Sequence, residues 1–175
     1  MDSTSGISHQ STPQTSVAGL RIGMALIVGC GYVIDQLTKR LAQTHLDVGS
    51  PVPVIDGLLW WSLHHNPGAA FSMGVGLTIG LSVLSLVVAV AMLGWVLPRV
   101  QTRLAAVACS LLTAGVLGNL TDRLFRAPGP FEGHVVDFIA VRGFAVFNVA
   151  DICITTSAGL LVIWSILSDR KKRVL

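Results

Sequence analysis

The sequence predicts an all-α integral membrane protein with four transmembrane helices and a small strand-containing extracytoplasmic element. Three observations carry that prediction. Hydrophobic residues make up 52% of the 175-residue chain, charged residues only 12%, and mean hydropathy is +0.71. A soluble domain carries about twice that share of charge. The apolar sequence gathers into four segments near the roughly 20 residues that a spanning helix needs. The polar and charged clusters fall at the segment ends.

Residues 1–16 are rich in Ser, Thr, Gln and Gly, cannot bury apolar surface, and are expected to form a disordered cytoplasmic tail. The first apolar segment runs from about Val17 to Ile34, interrupted only by Arg21, and the second from about Ala69 to Leu97 without a charge. The third covers Leu104 to Leu120 and the fourth Ile152 to Ser168. These two reach spanning length only if Asp122, Arg123, Asn148 and Asp151 belong to the helix ends, which places those groups near an interface. Residues 17–168 thus read as one four-span domain, and 169–175 as a basic cytoplasmic tail.

The connections set the orientation. An even number of spans puts both termini on one side. That side holds Arg21, Arg99, Arg103 and the Arg170-Lys171-Lys172-Arg173 run, seven basic residues against five on the other. By the positive-inside rule it is cytoplasmic. The outer side receives a connection from roughly Thr38 to Pro67, where Asp56-Gly57 between apolar runs signals a hairpin. Trp60 and Trp61 suit the headgroup level there. The second outer connection, about Phe125 to Phe147, carries Asp137.

Composition also narrows the function classes. A net charge of +3, spread over chain ends and loops, marks topology and not a nucleic-acid surface. Cys30, Cys109 and Cys153 lie inside apolar segments without a paired spacing and read as small buried hydrophobes. Ile27-Val28-Gly29-Cys30 looks like a lipoprotein cleavage box, but apolar sequence continues past Cys30 and Arg21 is the only basic residue before it. His64, His65 and His134 raise a zinc site beside Asp137, yet no H-E-x-x-H or Cys/His ligand pair accompanies them.

Polar residues inside such a chain are costly unless partnered or functional. Asp35 and Lys39 are four apart and share a helix face, as a structural ion pair would. Asn66 and Gly68 lead into span two, where capping and close packing are the simplest account. Asn119, Asp122 and Arg123 project one polar stripe from the end of span three, either a network joining spans or a cradle for a substrate carbonyl. Asp151 follows Asn148 by three and sits in the first turn of span four, where the helix dipole favours an ionised carboxylate. If Asp137 approaches from its loop, the two acids share a proton; one activates water and the other polarises a scissile carbonyl. Spacing alone leaves a structural or ion-pathway role equally open.

At these residues the sequence resembles the lipoprotein signal peptidases, the signal peptidase II family. The likeness lies in five blocks: Asp35-Gln36-Leu37-Thr38-Lys39, Asn66 through Ser72, Gly118 through Arg123, Val135-Val136-Asp137-Phe138, and Phe147 through Asp151. The resemblance implies an aspartyl endopeptidase of the bacterial cell membrane. Such an enzyme removes signal peptides from prolipoproteins just before a diacylglyceryl-modified cysteine. It implies Asp137 and Asp151 as the catalytic pair, supported by Asp35, Lys39, Asn66, Asn119, Arg123 and Asn148. It implies no metal or organic cofactor. Membrane lipid and lipidated precursors are the expected partners, nucleic acid is not, and a monomer is expected. Pro67, where the family often has a polar residue, and the long polar tail depart from the pattern without touching the aspartates. The rival from another class is a small proton-coupled transporter or channel using the same carboxylates. It would place acids near the midplane and often show internal repeats.

Overall fold

The computed structural model describes residues 17–68 and 75–173. Four helices are long and apolar enough to cross a membrane, and a three-stranded antiparallel sheet caps one end of the bundle. In chain order the elements are α1 (Val17–His45), β1 (Val52–Ile55), β2 (Leu59–Asn66), α2 (Val75–Ala91), α3 (Arg103–Phe125), β3 (Val135–Val141) and α4 (Val149–Arg173). α2 runs on through a π-helical turn at Met92–Val96 and a 3-10 turn at Leu97–Arg99. The expected tail over residues 1–16 and the start of span two at Ala69 lie outside the described residues.

α3 is the central helix. Of its most apolar stretch 61% is buried, against 6%, 17% and 11% for the spans of α1, α2 and α4. Its composition explains this. Ala105, Ala106, Ala108, Ala114, Gly115 and Gly118 remove bulk, so neighbouring helices approach closely. A Cβ on Gly115 would lie 2.4 Å from the Ala150 carbonyl oxygen, and one on Gly31 would lie 2.9 Å from Ala114 Cβ. Hydroxyls bond across the bundle: Ser157 donates to the Ala108 carbonyl at 2.6 Å, and Ser82 to that of Phe131 at 2.6 Å.

α1 is longer than its apolar run suggests. It continues past Ile34 to His45, so the first connection begins at Leu46 and not near Thr38. Hydroxyls of Thr38 and Thr44 fold back onto carbonyls three and four residues earlier, and Lys39 finds partners inside the bundle. The helix is unbroken through Ile27-Val28-Gly29-Cys30. α3 extends from Arg103 to Phe125 and so includes Asp122 and Arg123. α4 begins one residue after Asn148 and continues as helix through Asp169 to Arg173.

The hairpin expected at Asp56-Gly57 joins β1 to β2, with Gly57 at φ 70°. A third strand comes from the second connection. β3 pairs antiparallel with β2, placing Asp137 opposite His64 and Val135 opposite Asn66. Asp137 therefore rides a strand and not a loop. The apolar run Val135-Val136 before it and Phe138 after it are buried, with Val136 and Phe138 packed against Leu63 and Ala42. Trp61 stacks obliquely on Phe138 at 6.0 Å between ring centres.

Candidate active site

The site is built where the C-terminal end of α3, the N-terminal end of α4 and strand β3 meet. Asn148 is the N-cap of α4 and Asp151 its third helical residue. The Asn148 Oδ1 accepts from the Asp151 backbone N–H at 3.0 Å, and Asp151 Oδ2 accepts from the Asn148 N–H at 3.1 Å. This is the reciprocal geometry of a capping box. It fixes the Asp151 carboxylate at the positive end of a helix.

Two further amides complete the setting. Asn119 Nδ2 donates to Asp151 Oδ1 at 2.9 Å. Asn148 Nδ2 donates to Asp137 Oδ1 at 2.7 Å and to Asn119 Oδ1 at 3.2 Å. Asn66 Nδ2 donates to Asp137 Oδ2 at 2.8 Å, while its Oδ1 accepts from the Gly68 N–H at 2.8 Å. So Asn66 holds Asp137 and turns the chain at Gly68. Each aspartate has both oxygens engaged, and Asn148 touches both. Burial pushes the Asp137 carboxyl up from 3.8 to about 6. The charge of Asp151 pushes the same way, against the Asn66 and Asn148 bonds and the Lys39 charge.

Beneath this lies a buried ionic network. Lys39 is fully buried, and its ammonium meets Asp122 Oδ2 at 2.8 Å, Asp35 Oδ2 at 2.9 Å and Asn119 Oδ1 at 2.9 Å. That uses all three of its donors. Asp35 Oδ1 accepts from the Ala150 N–H in the first turn of α4 at 2.9 Å. Asp122 accepts from Arg126 Nε at 2.5 Å and from the Val136 N–H at 3.2 Å. Asp35 and Asp122 thus fix the two segments that carry Asp151 and Asp137. Lys39 also orients Asn119: its Oδ1 faces Lys39 and Asn148, so its Nδ2 faces Asp151.

Arg123 is different. Its side chain is buried, yet Nε and Nη1 have no partner among the described residues. Its guanidinium lies beside Gly68, whose φ is +89° and whose missing Cβ would sit 3.3 Å from Nη1. A buried donor without an acceptor is costly and points to a group that arrives with a ligand.

Asp137 opens on a cavity of about 370 Å³ lined with His64, Asn66, Gly68 and Val146. Asp151 opens on a neighbouring one of about 230 Å³ lined by Phe144, Phe147 and Thr155. All ten residues singled out from the sequence gather here: Asp35, Lys39, Asn66, Gly68, Asn119, Asp122, Arg123, Asp137, Asn148 and Asp151. Sequence reasoning missed Gln36, which donates to Asp35 Oδ2 at 3.1 Å and to the Gly118 carbonyl at 3.0 Å. It also missed Arg126, whose spacing of four from Asp122 was the available signal. Among the described residues, no three or more His, Cys, Asp or Glu are grouped to hold a metal ion.

Four spans, with one aspartate in the first turn of α4 and another on the adjoining strand β3, define a multi-pass membrane protein with a carboxylate-bearing site at one end of the bundle. The family model for signal peptidase (SPase) II matches residues 26–167, and the chain belongs to that family. It is 40% identical over 173 residues to the lipoprotein signal peptidase of Leifsonia xyli, covering 93% of this chain and 77% of that one. It is 39% identical to the lipoprotein signal peptidase of Mycobacterium tuberculosis strain H37Rv, covering 95% and 82%. Among solved structures it resembles a bacterial membrane enzyme determined by the in meso method at 2.3 Å. There the TM-score is 0.75 at 29% identity, over 93% of this chain and 96% of that one. The protein is a membrane peptidase. The transporter alternative finds no support in these relatives, and its acids sit at a helix end and on a strand.

Proposed function

We propose that the protein is an aspartic endopeptidase whose catalytic pair is Asp137 and Asp151. It removes signal peptides from prolipoproteins just before the diacylglyceryl-modified cysteine. The observation that supports this best is the single Asn148 side chain bonded to Asp137 while its backbone N–H and Oδ1 clasp Asp151. Two carboxylates so bridged share one proton. Asp137, pushed up to about 6, carries it. An apolar substrate seated on the site excludes more water and raises it further. Asp151, at the helix N-terminus with the Asn119 and Asn148 donors, takes the proton of the attacking water. The protonated Asp137 polarises the scissile carbonyl and later supplies the proton to the leaving amine. Arg123 Nε and Nη1 receive a substrate carbonyl, which completes their unmade bonds. No metal or cofactor takes part. The active site lies near the outer face, both termini are cytoplasmic, and the enzyme works as a monomer.

Purified protein and a diacylglyceryl-modified precursor test this directly. Asp137→Asn and Asp151→Asn each lower kcat/KM by about a thousandfold or more, with unfolding temperature close to the parent. The precursor lacking its lipid is cleaved far more slowly. Undiminished cleavage by either folded variant would sink the pair. Equal cleavage of both precursors would sink the substrate assignment.

A further inference from the structure

A second recess, of about 510 Å³, lies on the flank of α1 and is separate in its lining from both aspartate cavities. Val33, Gln36, Leu37, Arg40 and Gln43 recur at three- and four-residue spacing and so share one helix face. Arg126 reaches in from the end of α3. The face is graded. Val33 and Leu37 are exposed apolar groups at its lower end, 50% and 55% accessible, and Arg40 and Gln43 stand one to two turns above them. From Val33 to Gln43 the rise is about 15 Å.

Its charge is equally defined. Asp35, Asp122, Lys39 and Arg126 form a cluster of two acids and two bases joined by ion pairs. Arg40 stands outside it, exposed and without an acidic partner among the described residues. Gln43 Oε1 accepts from Arg126 Nη1, which leaves its amide nitrogen as a donor. The recess therefore offers one uncompensated positive charge, extra donors and an apolar slot beneath them.

We propose that this face of α1 binds an anionic phospholipid. The phosphate meets Arg40, Gln43 and Arg126, and one acyl chain lies against Val33 and Leu37. A basic, donor-rich pocket over an apolar slot matches a lipid phosphate. The diacylglyceryl group of a lipidated peptide has the chains but no charge for Arg40. Headgroup binding at Arg126 would act through Asp122 on the Val136 N–H, one residue from Asp137.

Native mass spectrometry of the purified protein, offered phosphatidylglycerol and phosphatidylcholine with identical chains, tests this. The parent retains phosphatidylglycerol about tenfold better, as one charge-assisted contact provides. Arg40→Glu brings the two lipids to parity. Arg99→Glu, at the other end of the bundle, keeps the preference. Equal retention by the parent overturns the proposal, as does a preference that survives Arg40→Glu. Equal loss in Arg99→Glu would show a general charge effect and also overturn it. Displacement of phosphatidylglycerol by dioleoylglycerol at equal concentration would show that chains alone are read, with the same result.

Discussion

At the scale of single residues, Asp137 carries the most information. Its carboxyl is buried on a strand, lifted to about 6, and held by two asparagine amides. The folded value lies above the open-chain 3.8, so between these limits the native state keeps a proton that the unfolded chain has lost. Its contribution to stability therefore falls as pH rises from 3.8 to about 6 and is level above that. Infrared spectra of protein carrying isotope-labelled aspartate should show a carboxyl band titrating near pH 6 and missing in Asp137→Asn. In Asp151→Asn the midpoint moves down, because a charge that raised it is gone. In Asn66→Ala it moves up, because a bond that favoured the anion is gone. A midpoint unmoved by Asp151→Asn would mean that the two carboxylates do not sense each other. Both aspartates were visible in the sequence as costly charges in an apolar chain. The Asn66 link was not, since it joins residues 71 apart through a strand register that no local pattern encodes.

At the scale of elements, the site depends on how closely α4 approaches α3. Gly118 is one contact and faces α1 as well as α4, with an added Cβ 3.3 Å from Ala150 Cβ. A Cβ there would lie 2.4 Å from Asp35 Oδ2, inside the space of the carboxylate that holds the Ala150 N–H. Gly118→Ala should cost about 1–3 kcal/mol of stability, as overpacking does. It should also lower cleavage, because the first turn of α4 carries Asp151. Gly80→Ala, in α2 with nothing among the described residues within 4 Å of the added carbon, is the matched control. It should leave stability unchanged or raise it by up to about 1 kcal/mol. Thermal unfolding of both variants checks the pair, and equal behaviour would remove Gly118 from the packing argument. Helix existence was legible in the sequence because apolar runs near spanning length have few alternatives in lipid. Helix ends were not. α1 outran its apolar segment by eleven residues, from Ile34 to His45, since Lys39 is neutralised within the bundle and the threonines bond their own helix. β3 was hidden for a related reason. Val135-Val136-Asp137-Phe138 is a short buried run whose strand character comes from pairing with β2, about 70 positions away.

At the scale of the whole molecule, orientation decides which compartment supplies the substrate. The sequence count of seven basic residues against five is a narrow margin. The structure accounts for three of the five. Lys39 and Arg126 are ion-paired with Asp35 and Asp122, and the buried Arg123 guanidinium lies beside Gly68, so packing around the site and not topology accounts for them. Arg40 and Arg142 remain at that end. The other end gathers Arg21, Arg99 and Arg103. Arg21 lines a recess with Leu97 and Pro98, and Trp164 of α4 lines another with Arg99 and Thr102. The start of α1 and the later part of α4 therefore share the end of the bundle that carries the α2–α3 turn. By the positive-inside rule, the basic excess predicts that this end is cytoplasmic. A variant with Cys30, Cys109 and Cys153 replaced by alanine gives the background for a labelling test. A cysteine added after Arg173 should resist an impermeant maleimide in intact cells and react after lysis. A cysteine replacing the exposed Asp56, in the β1–β2 turn, should react in both. The reverse pattern would place the sheet and the aspartates in the cytoplasm. A precursor already translocated across the membrane could then not reach them, and the assignment to signal-peptide removal would fall with the orientation.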